Sequence, residues 1–255
     1  MEGDLRMRAG AAGVFGRLAI AALVAIAARS AGAIDFGLQV YADGVLIGNV
    51  DQTRLGCVDN PDGVSAVCQV QNLVYGGVYP LINIDSLNLT IDKEPVVTGT
   101  TGVTNLQPTT QQFTLLFTLP VVPIPGATLT GGSYRGSVTD NNGDGATVST
   151  VAGSALYYAQ LDGANWQPLY SNPFSVSAGS FLSSNIPQMS FGNPIPSLPG
   201  PAVSTSIGIR LDFTLTGGDS ASFTSNHVVQ PVPEPGTAGL LGLGLAFLAG
   251  RRRKL

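Results

Sequence analysis

The chain has 255 residues, 44% of them hydrophobic and only 11% charged, with a net charge of −4 at pH 7. Twelve Lys and Arg against sixteen Asp and Glu exclude an electrostatic grip on nucleic acid, which needs clustered cations. One histidine and two cysteines rule out most histidine-based catalytic and zinc-binding arrangements.

The N-terminus predicts an export signal. Arg6, Arg8 and Arg17 precede the apolar run 18–28, and Ala31 and Ala33 supply the small-x-small pattern that signal peptidase accepts. Eleven apolar residues rise about 16 Å as a helix, against roughly 30 Å of hydrocarbon. Residues 1–33 are therefore expected to form a cleaved signal peptide with a helical apolar core, the alternative being an uncleaved anchor. Cleavage after Ala33 makes Ile34 the first mature residue. The remaining 34–231 stretch holds Arg54, Lys93, Arg135 and Arg210 as its cations against thirteen acids, a net charge of −9.

Period-two alternation dominates that stretch and predicts an all-β domain over 34–225, an antiparallel β-sandwich or jelly roll. A β-solenoid is the alternative, but no fixed-period repeat supports it. Asp43-Gly44 and Asp162-Gly163 each separate two short apolar runs and predict tight hairpins. Leu87, Leu89 and Ile91 alternate with polar neighbours. So do Phe113, Leu115, Phe117 and Leu119, where the apolar Leu116 predicts a strand covered on both sides. Pro120, Pro123 and Pro125 predict a crossing between sheets, and five prolines within 187–201 predict a long surface loop. The cleanest half-buried strand is 207–215. Gly217-Gly218 then predicts a turn, residues 220–224 a last strand, and residues 226–231, with the lone His227, a short linker.

Four constellations could carry chemistry. Cys57 and Cys68 flank a polar loop, and export would place them in an oxidising compartment. A disulfide there closes a twelve-residue ring worth roughly 2.8 kcal/mol in the chain-entropy model. Metal binding is the alternative, without a nearby histidine. Asp140, Asn142 and Asp144 match the first half of a calcium-loop pattern, with Gly145 at its sixth position, but Val151 stands where the bidentate Glu belongs. A polar hairpin loop explains the same residues. Trp166 with Tyr157, Tyr158 and Tyr170 offers either a sugar-stacking platform or ordinary core. Asn88-Leu89-Thr90 is a glycosylation sequon or simply a strand with Thr90 facing solvent. No nucleophile elbow, phosphate loop or histidine metal motif occurs, so a non-enzymatic protein is expected.

The tail, residues 232–255, has three parts in order: a Pro233-Glu234-Pro235-Gly236 cluster, the uncharged apolar run 238–249, and the basic Arg251, Arg252, Arg253 and Lys254. Fifteen residues from Gly236 to Gly250 span about 22 Å as a helix, which suits temporary retention better than durable anchorage. Basic residues outside both apolar runs place both chain ends in the cytoplasm and the body outside. The tail resembles the PEP-CTERM sorting signal of exported proteins in exopolysaccharide-making Gram-negative bacteria. That resemblance implies an inner-membrane exosortase that recognises Pro233, Glu234 and Pro235, with the short apolar helix and basic end as a stop. It implies an inner-membrane intermediate, processing near the motif, and release of the body to the cell surface or extracellular matrix. Signal peptidase and exosortase are then the partners in transit. For the body, the expectation is a structural matrix protein, possible partners including exopolysaccharide. A carbohydrate-binding or adhesive module is the alternative, and a secreted hydrolase fits less well.

Overall fold

Alternation of apolar and polar residues is realised as antiparallel strands throughout the described part of the chain. The structure is a computed structural model that describes residues 36–92 and 94–232. Ala31, Ala33, the expected signal helix and the whole tail from Pro233 onward lie outside the described residues. Among the described residues no helix is long and apolar enough to cross a membrane.

In chain order the strands are β1 (Gly37–Ala42), β2 (Val45–Asp51), β3 (Cys57–Asp59), β4 (Ser65–Tyr75), β5 (Ile82–Asp92), β6 (Val96–Asn105), β7 (Gln111–Pro120) and β8 (Thr128–Thr139). They continue as β9 (Ala146–Ser149), β10 (Ala155–Leu161), β11 (Ala164–Ser171), β12 (Ser175–Ala178), β13 (Ser183–Phe191), β14 (Leu198–Gly200), β15 (Ser206–Leu215) and β16 (Ser220–Pro231). One sheet runs β11-β10-β15-β7-β1-β2, with β9 and β12 attached through β15. The other runs β13-β8-β16-β6-β5-β4-β3, with β14 beside β8.

The sheets meet face to face, in a sandwich-like arrangement. Phe213 of β15 packs on Phe223 of β16 with ring centroids 4.9 Å apart, and Tyr157 of β10 on Tyr134 of β8 at 5.8 Å. These rings are fully buried, each worth about 1.5–3 kcal/mol in apolar burial. Polar struts cross the same interface. Tyr157 donates its hydroxyl to the Asn226 carbonyl at 2.7 Å, and His227 Nδ1 lies 3.0 Å from the Gly208 carbonyl. At one edge of the core Asn105, fully buried at the end of β6, donates from Nδ2 to the carbonyls of Thr109, Leu215 and Thr216 at 2.9, 2.9 and 3.1 Å. Its Oδ1 accepts the Gln107 amide at 3.0 Å.

Turn chemistry agrees with the sequence. Asp43 and Gly44 take φ of 48° and 78°, and Asp162 and Gly163 take 50° and 77°, the paired positive angles of a type I′ hairpin. The proline-rich crossing also holds: β7 ends at Pro120 in one sheet and β8 starts at Thr128 in the other. Leu116 is half-buried on the outer face of β7.

Two expectations need correction. Residues 226–231 are no linker, because β16 continues through them to Pro231, paired with β8 as far as Thr128. Polar Asn226 and Gln230 point outward there while His227 and Val229 are buried, so the alternation of 220–224 simply goes on. Nor is 187–201 a single loop. Pro187 lies in β13, an edge strand whose register shifts between Ile186 and Met189, and Pro199 lies in β14. A bulge on an edge tolerates the missing amide of proline.

Candidate functional site

The first candidate is the point where the body hands over to its tail. Gly37 opens β1 beside Thr118, near the end of β7. From there the chain crosses to β8, whose first residue pairs with Pro231 at the end of β16. Val232 then donates its amide to the Ala127 carbonyl of that crossing at 3.1 Å. The described body therefore receives its N-terminus and releases its C-terminus at the same end. The last hydrogen bond of the described residues stands one residue before Pro233. The Pro-Glu-Pro-Gly cluster and the basic residues 251–254 lie outside the described residues.

The second is the loop between β8 and β9. Asp140 and Asp144 come together there with Asp219, their nearest carboxylate oxygens within 4.8 Å of one another. Asp219 is the member that sequence reasoning missed, since it arrives from the turn between β15 and β16. Asn142 lies in the same loop with its side chain engaged. Its Nδ2 donates to the Gly217 carbonyl at 3.0 Å and its Oδ1 accepts the Asp144 amide at 3.2 Å. Three carboxylates could offer oxygens to a hard cation, but two are already engaged inside the loop. Asp140 accepts amides from Gly143 at 3.1 Å and Phe181 at 2.6 Å. Burial pushes its carboxyl upward, and the backbone donors of Phe181, Gly143, Gly145 and Asn142 outweigh that and hold it below the usual range. Asp219, fully buried, accepts the Asn141 amide at 3.2 Å and the Thr216 hydroxyl. Burial first, and then the Asp140 carboxyl beside it, push Asp219 above the usual range.

A buried carboxylate held above its ordinary range is stabilised by losing its charge. Asp219→Asn is therefore expected to raise stability by roughly 1 kcal/mol at neutral pH, measured as urea unfolding in EDTA. The amide keeps an acceptor for Asn141 and ends the repulsion from Asp140. A net loss of stability would show that the charge itself is needed.

The remaining candidates separate clearly. Cys57 and Cys68 are cross-strand partners on β3 and β4, joined as a disulfide, so neither sulfur is a free metal ligand. The aromatic platform does not form. Tyr157 and Tyr170 are buried in the core, the latter against Phe174, and only Trp166 is exposed, at 39%. The hydroxyl of Tyr158 is occupied by the Ala155 amide at 2.9 Å. Asn88 and Thr90 flank the buried Leu89 as outward residues of β5. His227, the chain's single histidine, is sealed between the sheets, and burial lowers its pKa to about 4.

An open cleft of about 420 Å³ lies on the outer face of the β13-β8-β16 region. Arg135, Ser137, Asn185, Gln188, Ser222 and Thr224 line it, over Gly136 and Ile186. No motif in the sequence announced it, because its members come from three strands that pair only in the fold.

The described all-β body ends at Val232, and the Pro233-Glu234-Pro235 cluster follows it directly in sequence. Residues 231–254 match the family model of the PEP-CTERM protein-sorting motif, one residue earlier at each end than the tail read from sequence. The chain is an exosortase-targeted exported protein, and its sorting includes a membrane-anchored step. No curated protein matches it significantly.

Proposed function

We propose that this protein is a non-enzymatic structural component of the surface or extracellular matrix of a Gram-negative bacterium, built as a β-sandwich and released by exosortase processing near Pro233-Glu234-Pro235. The sorting motif carries this reading. The shared exit of both termini supports it, since a body held by both signals need not turn over to face one membrane. The chemistry of the described residues supports the non-enzymatic part. His227 has no solvent access and cannot serve a nucleophile. Asp219 has the raised pKa of a general acid but is fully buried, out of reach of a leaving group.

The test is expression of the full chain in hosts with and without an exosortase, followed by intact mass and fractionation. The exported form is expected to begin at Ile34 and to end near the Pro-Glu-Pro cluster. Replacing Glu234 with Ala is expected to keep residues 232–255 attached and to cut release more than about tenfold, the scale of losing a recognised charged contact. Undiminished release of a chain with its tail intact would refute the route.

A further inference from the structure

The outer face of the β13-β8-β16 sheet reads, row by row, as hydroxyls and amides. Across one row stand Gln69, Asn88, Thr100, Thr224 and Arg135, each opposite the next on neighbouring strands. Across the adjoining row Ser222 faces Ser137, which faces Asn185. Arg135 is the cation of the first of these rows, is exposed, and makes no ion pair among the described residues, where Arg210 pairs with Asp212. The strand beside it is broken at this level. β13 slips register between Ile186 and Met189, and that bulge opposite Arg135 leaves Gln188 exposed at the wall of the cleft. Bulges re-aim side chains and interrupt pairing in this way beside functional sites.

From this juxtaposition we infer that the Arg135 cleft binds a largely neutral polysaccharide through an isolated carboxylate. The guanidinium fork matches a carboxylate in two parallel bonds. Around it Ser, Thr, Asn and Gln each offer both donors and acceptors, the pairing that sugar hydroxyls require. Other occupants fit worse. A lipid or drug-like ligand needs apolar walls. An extended peptide would add to the free edge of β13, whereas this cleft opens on the outer face, where β8 and β16 are paired on both sides. A dense polyanion meets the net −9 of the 34–231 stretch, while a sparsely charged chain beyond about 8 Å of the acids feels little of it.

The inference rests on the exported matrix reading only for its setting, and the two fail separately. Retention of the tail tests the route, and polymer binding tests the cleft. The experiment is affinity electrophoresis of the exported protein, produced from the full chain, in gels containing xanthan, carboxyl-reduced xanthan or dextran. Retardation by xanthan is expected. Arg135→Ala should weaken it about tenfold and Arg135→Lys by less, and carboxyl reduction of the polymer should weaken wild type as much as Arg135→Ala does. Unfolding midpoints equal to wild type identify folded variants. If Arg135→Ala does not fold, Gln188→Ala at the exposed bulge takes its place, with a loss of about threefold expected from one neutral hydrogen bond. No retardation by xanthan, an unchanged variant, or indifference to carboxyl reduction would each overturn the assignment.

Discussion

Acidification from pH 6.5 to pH 4 is expected to cost the body about 3 kcal/mol of stability through His227 alone. Burial between the sheets lowers this imidazole from 6.5 to about 4, and the Gly208 carbonyl only partly offsets that. A folded pKa below the unfolded one means that stability is complete above about 6.5, falls as the pH drops, and levels out near 4. The geometry supplies the reason. With Nδ1 donating to Gly208, Nε2 is buried without a partner, so a second proton has nothing to bind. Phe191 at 6.3 Å contributes no acceptor. Three carboxyls, Asp62, Asp140 and Asp162, are held below their ordinary 3.8 and lose their contribution at lower pH. Asp219, raised, works in the opposite direction. Urea unfolding at half-unit pH steps measures the slope, which His227→Phe should abolish. An unchanged slope in that variant would remove His227 from the account.

Asn105→Asp is expected to destabilise the body by about 3–5 kcal/mol at pH 7. The substitution keeps the shape and removes the donors that hold the carbonyls of Thr109, Leu215 and Thr216, placing a negative charge against all three. Two of those carbonyls close β15 in one sheet, while Asn105 itself closes β6 in the other. The backbone repeats the link: the Asn105 amide donates to the Asp219 carbonyl at 2.9 Å and its carbonyl accepts the Gly218 amide at 3.1 Å. Equilibrium unfolding in urea at pH 7 checks it. A loss below about 1 kcal/mol would mean that water replaces the amide at little cost.

What could be read from the chain follows from how local the physics is. The two Asp-Gly hairpins were legible because a type I′ turn is decided by its own two residues. Strand 207–215 was legible because one face is apolar at every second position, and it is observed as β15 from Ser206 to Leu215. The run through His227 was not legible. Adjacent Val228 and Val229 blur the alternation, and an inward histidine counts as polar until its buried carbonyl partner is known. Pro187 misled because proline excludes a central strand but not a bulged edge. In the candidate sites, Asp140 and Asp144 were found by spacing, whereas Asp219 joins them through a turn some seventy-five residues on. The Arg135 cleft is likewise a product of register. Tyr157 and Tyr170 show the converse: neighbours of Trp166 in sequence, they turn to the opposite side and fill the core.

The way β16 leaves the body also sets its mechanical behaviour. It is flanked along its length by β8 and, up to Val228, by β6. A pull directed along β16 loads the hydrogen bonds of both ladders together, in shear, rather than peeling them open one at a time. Whatever the tail is fastened to, tension enters the domain through its best-braced strand.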